Sequence, residues 1–178
     1  MPDGFGHLAA PDANSYDGGW RAGQRSGYGA GNIGDGFTYE GTWVANARQG
    51  YGRERRGEAG EYTGEWRADE RSGQGILRGP HGSFCEGRWT HNVATGPGTC
   101  MSDTGVEITG NWDGDVATNG VIKLRGGATY EGNLYDPAVP SVDARFLAWL
   151  ERVADDGDPT AALLLGDAYR KFRQPAPD

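Results

Sequence analysis

Tyr39-Glu40-Gly41-Thr42-Trp43 is followed, seven residues after its tryptophan, by Gly50-Tyr51-Gly52, and this stretch decides the fold because the chain keeps repeating it. One period on stands Tyr62-Thr63-Gly64-Glu65-Trp66 with Gly73-Gln74-Gly75, and one period back Tyr16-Asp17-Gly18-Gly19-Trp20 with Gly27-Tyr28-Gly29. Tryptophan recurs at 20, 43, 66, 89 and 112, always 23 residues apart, and a glycine precedes each by two positions (Gly18, Gly41, Gly64, Gly87, Gly110). Two residues before those glycines come Tyr16, Tyr39, Tyr62, Cys85 and Ile108. A sixth copy, Tyr130-Glu131-Gly132-Asn133-Leu134, arrives one residue early with Leu in the Trp place. Gly4-Phe5-Gly6 lies 23 residues before Gly27-Tyr28-Gly29, so the chain opens in the second half of a repeat.

Rings and glycine at alternate positions share one face of a strand, and the glycine leaves a slot for a neighbour's ring. Three residues after each Trp stands Gly23, Asn46, Asp69, Asn92 or Asp115, types that accept positive φ in a hairpin turn. The glycine pair is expected to open the second strand, and Gly36, Gly60, Gly82, Gly105 and Gly127 to mark the turn into the next copy. Each repeat is therefore a hairpin. Successive hairpins make an elongated single-layer antiparallel β-meander, advancing about 10 Å per copy and about 50 Å in all.

The pattern resembles the MORN (membrane occupation and recognition nexus) family over about residues 4–135, with departures at Cys85, Ile108, Asn119-Gly120 and Leu134. The resemblance implies about five to six MORN-type hairpins in a curved sheet that binds or positions other proteins. Lipid binding was the family's founding proposal; protein association and self-assembly are its commoner roles.

The glycine rhythm stops after Tyr135-Asp136-Pro137, which divides the chain into a repeat region, 1–136, and a helical region, 137–178. Ser141 is the expected helix N-cap, and Val142, Phe146, Trp149, Leu150 and Val153 recur at helical intervals. Asp155-Asp156-Gly157-Asp158-Pro159 separates that helix from a second one, carrying Ala162, Leu163, Leu165, Gly166 and Tyr169. The hairpin resembles one SEL-type repeat, a short relative of the tetratricopeptide repeat. Its role is either adaptor surface or a cap on the last strand of the sheet.

Composition narrows the function. Of 178 residues 32 are Gly, and 17 basic residues face 25 acidic ones for a net charge of −8. Nucleic acid is thereby excluded as a partner and anionic lipid disfavoured. Arginine supplies every basic residue except Lys123 and Lys171, a usage typical of GC-rich bacterial genomes. The start, Met1-Pro2-Asp3-Gly4, lacks the regions of a signal peptide, so a cytoplasmic location is expected.

Catalytic chemistry is poorly represented. The only histidines are His7, His81 and His91, and a zinc site of His81, Cys85, His91 and Cys100 cannot converge in one repeat, because His81 lies about 13 Å before Cys85 along its strand and His91 about 20 Å beyond it. Cys85 and Cys100 face each other across one hairpin, either as small reduced residues or, in an exported protein, as a disulfide. No nucleophile triad, phosphate loop or dinucleotide fingerprint occurs, and no cofactor or metal site is expected. The expectation is a non-enzymatic interaction or scaffold module within a larger protein or assembly. Its alternatives are a peripheral lipid-binding module and the targeting region of an enzyme whose catalytic domain is elsewhere. The candidate partner-binding face carries Tyr16, Trp20, Tyr39, Trp43, Tyr62, Trp66, Trp89, Trp112 and Tyr130. These rings either pack on one another or stay accessible for want of a second layer, with the tyrosines the better candidates for contact. Self-association through the N-terminal edge strand is a further expectation.

Overall fold

The computed structural model describes residues 3–9, 14–32, 36–114, 116–136 and 141–172. Twelve strands form one open antiparallel sheet whose spatial order is the chain order: β1 (Gly4–Ala9), β2 (Ser15–Arg21), β3 (Gln24–Asn32), β4 (Phe37–Val44), β5 (Ala47–Arg56), β6 (Glu61–Arg67), β7 (Glu70–Arg78), β8 (Phe84–Thr90), β9 (Val93–Met101), β10 (Glu107–Asp113), β11 (Val116–Lys123) and β12 (Thr129–Asn133). The short pair β13 (Tyr135–Asp136) and β14 (Ser141–Val142) follows, then helices α1 (Ala144–Asp155) and α2 (Pro159–Phe172). The mainly β meander with two C-terminal helices is thus the architecture. Contacts divide the chain into two compact units, 1–94 and 95–178.

In the first unit the turns within repeats use two consecutive positive-φ residues, Ala22-Gly23, Ala45-Asn46, Ala68-Asp69 and His91-Asn92, the geometry of a type I′ hairpin. Asp115, the corresponding residue of the fifth copy, lies outside the described residues, as do Pro137 and Pro140. Each turn is tied to the one before it: Asn46, Asp69 and Asn92 accept through Oδ1 from the backbone N–H of Arg25, Arg48 and Arg71 at 2.8, 2.9 and 2.9 Å. The glycine pair does not open the second strand as expected. Pairing begins three residues earlier, at Gln24, Ala47 and Glu70, and the first glycine of each pair sits at positive φ where the register shifts. That glycine serves a β-bulge, which lets the strand carry extra residues and regain its pairing.

The ring slot is filled by the tyrosine of the same strand and not, as expected, by a neighbour's ring. Gly41 pairs with Gly52 in the register, and a Cβ on either would collide with the Tyr39 hydroxyl. Tyr16 lies on Gly18 and Gly29 in the same way, and Tyr62 on Gly64 and Gly75. The phenol oxygens then donate to Gly19, Thr42 and Glu65 carbonyls at 3.1–3.2 Å. Each tryptophan donates Nε1–H to the second glycine of the preceding pair, Trp43 to Gly29, Trp66 to Gly52 and Trp89 to Gly75, at 3.1–3.2 Å. These bonds satisfy the polar ends of rings that are otherwise buried.

The second unit continues the pattern with Trp112 Nε1 donating to Gly98 O at 3.2 Å, but its core is aliphatic. Val106, Ile122, Leu124 and Leu134 are buried with Trp149, Leu150 and Ala161 of the helices. Ile108, Ile122 and Tyr130 are successive register partners on β10, β11 and β12, and Tyr130 meets Phe146 and Trp149 at ring-centroid distances of 5.1 and 5.5 Å. The helices therefore cover a sheet face. Asp143, not Ser141, caps α1, its carboxylate accepting from Arg145 and Phe146 N–H, because Ser141 is drawn into pairing with Asp136. Asp158 Oδ1 accepts from Thr160 and Ala161 N–H and opens α2 ahead of Pro159 in the helix.

Candidate functional site

The first unit sorts its aromatic residues onto two faces with opposite fates. On one face Tyr16, Trp20, Tyr39, Trp43, Tyr62, Trp66 and Trp89 form a continuous row. Neighbouring Tyr and Trp rings meet edge-to-face at centroid distances of 5.0–5.5 Å, a geometry worth about 0.5–1.5 kcal/mol per pair beyond burial. All but the half-buried Trp20 are 1–4% exposed. Burial raises the Tyr16 phenol and pushes those of Tyr39 and Tyr62 well above the ordinary tyrosine range, against nearby arginine charge.

What covers these rings in a single-layer sheet is arginine. Arg25, Arg48 and Arg71 stand five residues after Trp20, Trp43 and Trp66. Arg25 and Arg48 lie 4.0 and 4.1 Å from the ring centroids of Trp43 and Trp66, the next tryptophans along, while Arg71 sits 4.9 Å from Tyr62 and 5.7 Å from Trp89. Guanidinium stacking of this kind is worth about 2 kcal/mol where water is excluded.

A carboxylate is buried among them. Glu54 is 1% exposed and pairs in register with Tyr39 on one side and Tyr62 on the other. It accepts from Arg48 Nη1, from Arg56 Nε at 2.6 Å and from Arg71 Nη2 at 3.2 Å. Burial alone would raise its pKa, but the Arg56 hydrogen bond and the Arg48 charge outweigh it and hold the carboxyl below the usual range. Arg71 is 9% exposed, burial lowers its pKa against the Glu54 bond, and its Nε has no hydrogen-bond partner.

The opposite face carries the residues that stand between the paired glycines. Phe5, Tyr28 and Tyr51 are 81%, 60% and 65% exposed. Their register partners Gly19, Thr42 and Glu65 are small or polar, so nothing large screens them. Tyr28 donates its hydroxyl to Glu40 at 2.6 Å, which raises its pKa. The later copies place Gln74 and Pro97 there, so the exposed aromatic row belongs to the first three copies.

Seven of the nine expected site residues therefore form the ring core of the first unit, while Trp112 and Tyr130 pack against the helix-covered core of the second. Two groups escaped the sequence reading, the arginine ladder and the outer aromatic row, although both are visible as 23-residue series. Cys85 and Cys100 are both disulfide-bonded, and neither is a free thiol. Among the described residues no three His, Cys, Asp or Glu side chains group to hold a metal, and no helix is long and apolar enough to cross a membrane.

The MORN repeat family matches this chain at four places, residues 16–29, 39–57, 62–84 and 85–106. The matches coincide with the strands that carry the Tyr, Trp and paired-glycine core and end before β10. A comparison with curated proteins finds no match.

Proposed function

We propose that this chain is a non-catalytic protein–protein interaction module, serving as scaffold or adaptor in a larger protein or assembly. The observation that carries the reading is the outer row of Phe5, Tyr28 and Tyr51. Three large rings at about 10 Å intervals, held by a sheet whose other face is already packed, have no role in the core. Aromatic side chains exposed in a row are favoured contact area for partners. The fourfold MORN match agrees, since such repeats are interaction modules. The ring row of Tyr16 to Trp89 then acts as the rigid support of the contact face, and its half-buried end at Trp20 is open to contact.

Affinity capture from a lysate of the native cells tests this, comparing the unaltered protein with a Tyr28→Ser/Tyr51→Ser variant. Both positions are exposed, so the variant keeps its near-ultraviolet circular dichroism. Recovery of at least one specific partner should fall about tenfold or more; equal recovery of every protein by both would sink the proposal.

A further inference from the structure

Arg25, Arg48 and Arg71 occupy equivalent places in successive repeats, but among the described residues only Arg48 and Arg71 have a carboxylate partner. Glu54 serves Arg48, six residues before it, and Arg71, seventeen residues after it. The residues at the same two offsets from Arg25 are Gly31 and Leu8. Both hold Glu54's register position: Gly31 lies between Tyr16 and Tyr39, and Leu8 pairs with Tyr16. Asp69, which accepts from Arg48 Nε at 3.0 Å, is replaced beside Arg25 by Asn46.

Arg25 consequently makes no ion pair among the described residues. Its Nη2 donates to Asn46 O at 3.0 Å, and its guanidinium rests on Trp43. Where Glu54 fills the structure further along, the space here is an open groove of about 550 Å³, walled by Tyr16, Trp20 and Trp43 with Leu8 at its margin. Arg48 and Asp69 also line it; Arg48 is paired with both Glu54 and Asp69, and Asp69 acts on Arg25 through its charge without pairing with it. Arg25 is the member of the ladder with no carboxylate in direct contact among the described residues.

We infer that this groove receives the carboxylate of an Asp or Glu side chain from a partner polypeptide, paired with Arg25 where it rests on Trp43 and flanked by the half-buried Trp20 ring. A planar guanidinium already fixed on an aromatic face loses little freedom in taking a carboxylate. Glu54 shows the same pairing satisfied from within the chain one repeat later. A polypeptide fits better than a free small acid because the groove is open and draws its lining from β1 to the turn after β6, whereas small-molecule sites enclose most of their ligand. The inference rests on the interaction-module reading but uses the other face of the sheet.

The test is selection of random heptapeptides displayed on phage against the full chain, with Arg25→Gln and Leu8→Glu variants in parallel. Leu8 is 47% exposed, so its replacement leaves the fold intact and supplies Arg25 with a carboxylate at the offset that links Glu54 to Arg71. The unaltered protein should enrich peptides with Asp or Glu at one fixed position. The best of them, synthesised, should bind at least tenfold more weakly to both variants, and at least tenfold more weakly when its acid is changed to the amide. Failure to enrich any peptide, enrichment without an acid, or equal binding to the variants overturns the inference. Glutarate binding as tightly as the peptide overturns the polypeptide source. Peptides without an acid that depend on Tyr28 and Tyr51 would leave the interaction module standing while removing this groove from it.

Discussion

At the scale of single residues Glu54 is the most consequential side chain of the first unit. A buried carboxylate is costly unless its partners are in place, and removing one member of such a set costs about 3–5 kcal/mol because the remaining charges stay buried. Arg71, at 9% exposure, has no carboxylate partner but Glu54 among the described residues. Glu54→Gln should therefore lower stability by about 3 kcal/mol, read from urea midpoints at pH 7. The pH dependence has a definite sign. Because the folded-state pKa of Glu54 is held below its unfolded value, its contribution is complete above the unfolded pKa of about 4.3 and is lost as pH falls through the lower folded value. Urea midpoints of the unaltered protein should fall steeply below about pH 4, and those of Glu54→Gln less so. Part of the slope survives in the variant, since hydrogen bonds from Arg53 and Arg55 lower the Glu61 pKa as well. Equal slopes for the two proteins would remove Glu54 from the account.

At the scale of the repeat, the hairpin is built on close approach of two glycines under a ring. A Cβ on Gly41 would stand 2.6 Å from the Gly52 backbone and collide with the buried Tyr39 ring, so neither strand nor ring can yield without disturbing the next repeat. Gly41→Ala is expected to cost about 2–3 kcal/mol, whereas Gly23→Asn, at a turn position filled by Asn46 one repeat later, should change stability by under about 0.5 kcal/mol. Thermal or urea unfolding of the two variants makes the comparison; similar losses would mean that the glycine slot is not what sets the hairpin. This element was legible in the sequence because rings, glycines and turn residues all obey one period. The bulge was not, since Gly27 and Gly50 look the same whether they open a strand or bend it at positive φ. Nor could the alternation of faces show which rings remain outside. Tyr39 and Tyr51 are both aromatic members of a 23-residue series, and the Gly41/Gly52 slot under the first, together with the arginines lying over Trp43 and Trp66, makes it core and leaves the second at the surface.

At the scale of the whole molecule the question is whether the exposed rings meet protein or lipid. The chain carries a net charge of −8, and the arginines that cluster in β5 are already engaged: Arg48 and Arg56 with Glu54, Arg53 and Arg55 with Glu61. A basic residue near an anionic membrane is worth about 1 kcal/mol only while its charge is free to act, and here acidic neighbours cancel it. The three outer rings alone bury too little to overcome the repulsion of the remaining acids. Phosphatidylserine-containing vesicles at about 0.15 M salt should therefore pellet no more of the protein than centrifugation without vesicles. Lowering the salt should not rescue binding, because longer-ranged electrostatics then strengthen a net repulsion. Retention of half the protein on such vesicles, lost in Tyr28→Ser/Tyr51→Ser, would reassign the outer row from a protein contact to a membrane contact.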